Sequence, residues 1–361
     1  MLGLYIHIPF CKKKCFYCGF FSQRYDAALA ERYIESVIKH SKRFAGKEID
    51  TLYIGGGTPS VLRETQIEKL LCSLNSNFNF SSVKELTFEA NPESASKEKF
   101  KILKKYGVNR ISLGLQSADD TELEALGRVH DFKTFSKAFY EAREAGFDNI
   151  NLDLIYGFPG QDTRSWRESL KKALDFESEH VSLYPLSIEE NTPFYANSVA
   201  VDGDLQRDMY EEAAEIFNKA GLKRYEISNW SKAGRESLHN SNYWRNFQYI
   251  ALGAGASGYL ENKRYKNAQD IEKYIDLTDK DLNAVEEEIE INEEIFNAEG
   301  IMLGLRLLNE GADIKYFKSF RSLETLGRFA EQGVLIRDKD RVKLSKDYVF
   351  VLNSVVSEFM V

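Results

Sequence analysis

Tyr5-Ile6-His7-Ile8-Pro9-Phe10-Cys11-Lys12-Lys13-Lys14-Cys15-Phe16-Tyr17-Cys18 decides both how the chain starts to fold and what its first loop can hold. Residues 4–8 are a short β-rich apolar run that predicts a strand, and three cysteines follow it with the spacing C-x3-C-x2-C. Three thiolates from one short loop can cap three irons of a cubane and leave the fourth iron without a protein ligand. Two other readings exist. Structural zinc sites are closed by four ligands, and His7 is the nearby candidate to complete one; three unconnected thiols is the other. A [4Fe–4S] cluster held by Cys11, Cys15 and Cys18 is the expected occupant.

The rest of the composition limits the setting. The chain has 361 residues, 43% hydrophobic and 29% charged, as expected of a globular protein of one large domain plus a smaller one. Its 48 basic and 56 acidic residues leave a formal charge of −8, which disfavours nonspecific nucleic-acid or anionic-membrane binding as the main activity. The longest nearly uncharged apolar or small-residue stretch, 249–260, falls short of the roughly 20 residues of a spanning helix. A strand so close to the first residue leaves no room for an export signal, so a cytoplasmic location is expected. With three of the four cysteines in eight residues, metal ligation is favoured over a disulfide framework. Cys72 stands apart in a helical pattern, where a small half-buried apolar role is expected.

Apolar β-rich runs recur at 4–8, 51–54, 85–89, 110–113, 151–155 and 180–184, with helical patterns between them at 28–43, 65–75, 97–106, 131–144 and 163–176. Such alternation predicts βαβ units and a parallel sheet, and six strands suffice for an open, partial (β/α)6 barrel. The expected division is a barrel at 1–195, a sheet extension at 196–285 and a smaller, mostly helical C-terminal domain at 286–361. The extension should contain a helix at about 204–220 and the small-residue run 252–258. From Glu286 onward the expected order is helix, helix, helix, hairpin around 333–344 and terminal helix, an α+β unit with a winged-helix-like segment. Acidic 286–299 offers no basic recognition surface, so structural packing rather than nucleic-acid binding is expected there.

Polar residues at the predicted strand ends mark a candidate ligand site, since sites on barrel-like sheets lie at that end. Gly55-Gly56-Gly57-Thr58 follows the second strand and allows backbone to approach a ligand closely. Glu89, Gln116 and Asp153 sit on or just past further strands, and a polar residue inside Leu152-Asp153-Leu154-Ile155 is costly unless paired. The cysteine loop resembles the motif of the radical S-adenosylmethionine (SAM) superfamily, with Tyr17 at its aromatic position. The ordered set Tyr5 to Cys11, Gly56-Gly57-Thr58, Phe88-Glu89, Gly114-Leu115-Gln116, Leu126-Gly127-Arg128 and Asp153 to Gly157 is similar to the family containing oxygen-independent coproporphyrinogen III oxidase, over nearly the whole chain.

That resemblance implies that Tyr5 packs beside the cluster and that Gly56, Gly57 and Thr58 contact the methionine amino group of SAM. It also implies that Arg128 pairs with the carboxylate, that Glu89, Gln116 and Asp153 hold amino and ribose groups, and that Tyr184 lines the adenine side. Two departures set the chain apart from the oxidase: Phe20 stands where the oxidase has a further cysteine, and the sequence begins four residues before Tyr5, without the oxidase's N-terminal cover. His239-Asn240-Ser241-Asn242-Tyr243-Trp244 instead matches the H-N-x-x-Y-W motif of the family's haem-chaperone branch. The resemblance then implies haem as a third ligand, with His239 on the iron and Tyr243 and Trp244 stacking on the porphyrin. It leaves the haem acceptor and the electron donor unidentified. A structural turn, with His239 bonded to backbone and Trp244 in the core, is the alternative for this motif, and porphyrinogen decarboxylation the alternative activity.

Overall fold

The computed structural model describes residues 1–360. Six parallel strands form the centre: β1 (Gly3–Ile8), β2 (Thr51–Gly56), β3 (Glu85–Ala90), β4 (Arg110–Gln116), β5 (Ile150–Tyr156) and β6 (His180–Pro185), hydrogen-bonded in that order. All six were predicted from the apolar runs. The longer helices between them are α1 (Ala27–Ser41), α2 (Glu64–Phe78), α3 (Lys97–Lys105), α4 (Phe132–Glu144) and α5 (Thr163–Leu174), followed by α6 (Gly203–Lys219). Asp26, Asp131, Asp162 and Asp202 cap four of these helices through side-chain oxygens that accept N–H groups of the first turn. Gly107 and Gly146 end α3 and α4 with φ of 84° and 89°, as expected of helix-terminating glycines.

Strand alternation sorts the side chains. Leu4, Ile6 and Ile8 of β1 and Ile111, Leu113 and Leu115 of β4 are buried in the apolar core with the helices. Their neighbours in sequence, Tyr5 and His7 or Arg110, Ser112 and Gln116, therefore face the opposite side of the sheet, the barrel lumen. The lumen is polar, and the core lies between sheet and helices.

The sheet continues past both edges of the barrel. Antiparallel β8 (Asn229–Ser231) and β7 (Lys223–Arg224) extend it beyond β6, while β9 (Tyr249–Leu252) runs parallel to β1 and is followed by β10 (Ser257–Leu260), β11 (Lys263–Asn267) and β12 (Val285–Glu290). Between β8 and β9 lies α7 (Leu238–Trp244), which carries the H-N-x-x-Y-W motif, and α8 (Ile271–Asp279) precedes β12. The expected helix at 286 is absent: Glu286, Glu287, Glu288 and Glu290 lie on an exposed edge strand. Lys273 pairs with Glu286, and Lys263 and Lys266 of β11 pair with Glu288 and Glu287. Charge on both faces protects an edge from further pairing, and the cross-strand lysines are invisible to local periodicity.

β12 thus crosses the boundary expected at 286. Beyond it α9 (Glu293–Gly304), α10 (Phe320–Glu331) and α11 (Leu352–Ser357) accompany a three-stranded sheet of β13 (Ala312–Asp313), β14 (Leu335–Asp338) and β15 (Arg341–Leu344), ordered β13-β15-β14. The hairpin falls where the winged-helix-like reading put it. Cys72 is exposed on α2 rather than half-buried. Among the described residues, no helix is long and apolar enough to cross a membrane.

Candidate functional site

The cysteine loop lies over the C-terminal ends of the strands. Phe10–Cys11 pairs with Gln23–Arg24 in a two-residue parallel ladder, which returns the loop to the sheet and buries Cys11, while Cys15 and Cys18 stay half-buried. The loop is fastened to the barrel by the Phe16 N–H donating to the Leu126 carbonyl at 3.2 Å. Gly56 and Gly57 pass directly beneath it. A Cβ on Gly57 would lie 2.8 Å from the Phe10 carbonyl oxygen and 3.0 Å from Cys11 Sγ, and Gly56 has φ 114° with the His7 ring 2.6 Å from a Cβ position. The glycines expected to permit close approach are required by the loop itself.

Burial pushes the Cys11 and Cys18 thiols up, so a metal charge is needed to hold them as thiolates. Cys11, Cys15 and Cys18 ring the mouth of one cavity, an arrangement that fits a cubane, which takes each thiolate on a separate iron.

That cavity, of about 610 Å³, runs from the cysteines down the lumen to Asn240 and is lined by Tyr17, Gly56, Gly57, Thr58, Glu89, Gln116, Arg128, Asp153 and Tyr184. Nearly all the residues expected to hold SAM therefore meet in one space. Tyr5 is not among its lining residues; its hydroxyl bonds to His7 Nδ1 at 2.9 Å. Gln116 ends β4 in the left-handed region at φ 67°, beside a register shift between Gly114 and Gln116, which turns the strand end at the cavity wall. Tyr184 is 41% exposed at the rim.

Glu89 accepts hydrogen bonds from the Tyr53 hydroxyl at 2.6 Å and the Gly56 N–H at 3.1 Å. Burial outweighs these donors, and with the Asp153 charge nearby its carboxyl is pushed up to about 7. Asp153 is also raised by burial and is held by Ser112 Oγ and Asn151 Nδ2, both at 2.9 Å. Arg128 is anchored by two bonds, Nη1 donating to Cys15 Sγ at 3.4 Å and Nη2 to Asn91 Oδ1 at 2.9 Å, while its buried Nε has no partner.

Several lining residues escaped the sequence reading: Tyr53, Asn91, Arg110, Ser112, Asn151 and Ser182. Strand alternation carried the missing signal, because 151 shares the face of 153, and 110 and 112 share that of 116.

The haem motif occupies a different position. Helix α7 closes the lower end of the lumen, with Ser237 as its N-cap. His239 is 1% exposed; its Nδ1 is 2.8 Å from Thr51 Oγ1, its Nε2 2.7 Å from the Tyr243 hydroxyl, and its ring stacks on Tyr53 at 5.3 Å. Burial, reinforced by Arg110, pushes its pKa down to about 3, so the ring is neutral with both nitrogens engaged. His239 is thus not an open iron ligand in this structure, and its partners are side chains rather than the backbone of a turn. Tyr243 and Trp244 line a separate cavity of about 360 Å³ with Phe247, Tyr249, Met302 and Leu303. The Trp244 ring carries the Arg306 guanidinium at 4.4 Å.

Comparison with known proteins agrees with this arrangement. The family model described as the radical SAM superfamily matches residues 5–173. The chain is 38% identical to the haem chaperone HemW of Bacillus subtilis (strain 168), covering all of this chain and 99% of that protein. It is 36% identical to HemW of Lactococcus lactis subsp. lactis (strain IL1403), covering 99% and 96%. The structure of coproporphyrinogen III oxidase (HemN) from Escherichia coli, a radical SAM enzyme, superposes with a TM-score of 0.87 over 99% of this chain and 89% of the other, at 21% identity. That similarity speaks to the fold.

Proposed function

From the family to which the chain belongs, the HemW haem chaperones of the radical SAM superfamily, we infer that it binds haem and passes it to acceptor proteins while carrying a [4Fe–4S] cluster and SAM. Full-length similarity to the Bacillus subtilis haem chaperone is the observation that carries the inference. When bound, the cluster supplies one-electron chemistry and an open iron for the methionine end of SAM.

The chain's own residues divide the work. Cys11, Cys15 and Cys18 would hold the cluster, and Gly56, Gly57 and Thr58 would offer polar groups to the methionine amino group. Arg128 is the cation for its carboxylate. Glu89 sits near its midpoint at neutral pH, so it accepts hydrogen bonds from an amino or hydroxyl group when ionised and donates one when protonated. Asp153 is fixed by Ser112 and Asn151 as an acceptor for ribose hydroxyls, with Gln116 beside it, and Tyr184 covers the adenine side at the rim.

For haem we assign the apolar contacts to Tyr243 and Trp244, whose cavity also offers Phe247, Tyr249 and Met302. His239 serves as an iron ligand only where α7 has left Thr51. A reducing cytoplasm suits a protein with free cysteines and an oxygen-sensitive cluster, and we place the chain there.

The test is anaerobic. Haem added to the reconstituted full chain should give a Soret band that moves to apomyoglobin on mixing, and coproporphyrinogen III with SAM and reductant should remain unconverted. Phe20, 70% exposed on the cysteine loop, stands where the resemblance to the oxidase would ask for a cysteine. Absence of a Soret band overturns the chaperone reading, and repeated porphyrinogen turnover replaces it with the oxidase.

A further inference from the structure

Three side chains, joined by four hydrogen bonds, form an unbroken chain between two of the cluster cysteines. Thr58 Oγ1 donates to Cys11 Sγ at 3.4 Å, and Asn91 Nδ2 donates to Thr58 Oγ1 at 3.0 Å. Asn91 Oδ1 accepts from Arg128 Nη2 at 2.9 Å, and Arg128 Nη1 donates to Cys15 Sγ at 3.4 Å. Each donor has one consistent direction. Arg128 can only donate, so the Asn91 oxygen must face it and the Asn91 amide N–H must face Thr58. With its oxygen receiving that N–H, the Thr58 hydroxyl directs its single proton at the sulfur. Flipping the amide would set two donors against each other at Arg128 and leave Thr58 free to turn away from Cys11.

Asn91 is itself held firmly. Its backbone N–H donates to Ser60 Oγ at 2.9 Å, and Pro92 follows it, which restricts its backbone to extended conformations. Behind Arg128 stand His130, whose Nδ1 is 3.5 Å from Nη2, and the buried Glu93 carboxylate 3.4 Å beyond, which supplies counter-charge to the guanidinium. Glycine at 114 makes room, since a Cβ there would lie 2.9 Å from Asn91 Oδ1.

Hydrogen bonds to ligating sulfurs stabilise the more negative, reduced form of an iron–sulfur cluster and so raise its reduction potential. We propose that Asn91 is a positioning residue for the cluster: by tying Thr58 to Arg128 it aims one donor at Cys11 Sγ and another at Cys15 Sγ, and thereby raises the potential at which the cluster accepts its electron. The proposal rests on the cluster reading but not on SAM binding, so it is tested without SAM.

The full chain is reconstituted anaerobically and titrated with dithionite in the presence of mediators, following visible absorbance and the electron paramagnetic resonance of the one-electron-reduced cluster. Asn91→Ala and the isosteric Thr58→Val should each lower the reduced-to-oxidised ratio about tenfold at the parent midpoint, a shift of about 59 mV for one electron, with about four irons retained. Thr58→Ser, which keeps the hydroxyl, should titrate as the parent does; a purely space-filling role at position 58 would not divide Val from Ser in this way. Unchanged midpoints in Asn91→Ala and Thr58→Val overturn the proposal. If Asn91→Ala does not load, Thr58→Val decides alone. A parent chain that takes up no cluster overturns the cluster reading and this inference together, whereas altered SAM affinity at an unchanged midpoint overturns this inference alone.

Discussion

Glu85 holds the helix that carries His239. From the first position of β3, its Oε1 accepts the His239 backbone N–H at 2.9 Å, and its Oε2 accepts that of Leu238 at 2.8 Å. A carboxylate at a helix N-terminus satisfies orphan donors and complements the partial positive charge there. Residues 154 positions apart are thus joined to close the lower end of the lumen. Glu85→Gln should destabilise the fold by about 1–2 kcal/mol, since a buried acceptor of three bonds, the third from Ser237 Oγ, loses its charge and one accepting oxygen. Chemical denaturation of the apoprotein measures it, and a change under 0.5 kcal/mol, the scale of ordinary surface substitutions, would mean that α7 is held by its apolar contacts alone.

Cluster loading is the simplest check of the first loop. The parent should bind about four irons with charge-transfer absorption, and Cys15→Ser should lose that absorption, because each thiolate holds its own iron. Retention of iron and colour after replacing Cys11, Cys15 and Cys18 together would remove the cluster from this site.

Arg128→Ala should weaken SAM binding by roughly 1.5–3 kcal/mol, the range for hydrogen bonds to charged groups. Calorimetry on the reconstituted protein reads it. Asp153→Asn should cost less, since an amide oxygen still accepts a hydroxyl. Equal affinities for parent and Arg128→Ala would strike Arg128 from the site.

Glu89 gives a pH signature. Its carboxyl is raised to about 7 in the folded chain, against about 4.3 when unfolded. Between those values the unfolded state releases a proton that the native state retains, so stability falls as pH rises through the window and levels off above it. In Glu89→Gln that decline should be smaller between pH 5 and pH 8. Denaturation midpoints at the two pH values test this; an identical pH dependence in parent and variant would show that Glu89 is already ionised at pH 5.

For haem, Tyr243→Ala or Trp244→Ala should speed haem loss, because each removes an aromatic wall of the cavity beside Met302. His239→Ala should leave the Soret position as it is while α7 remains seated, since both ring nitrogens are already bonded. A Soret shift in His239→Ala would show instead that haem binding lifts α7 from Thr51.

By itself the sequence determined the six-strand barrel, the cysteine loop, and the set of strand-end residues from Gly56 to Asp153. Those features are written locally: a spacing of three and two between cysteines, glycines in a row, and apolar runs bounded by helical patterns. Only the tertiary structure decided where His239 points. The motif around it reads as a ligand because imidazole and aromatics suit haem, but Thr51, Tyr53 and Glu85 come from strands more than 150 residues earlier and enclose it. Asn91 likewise looked like an ordinary residue before proline until β2, β3 and the loop bearing Arg128 came together around it. The acidic run from Glu286 to Glu290 became a strand rather than a helix for the same reason. A hydrogen bond or an ion pair between distant segments exists only once the register of the sheet has set their separation, and no window of local sequence contains that register.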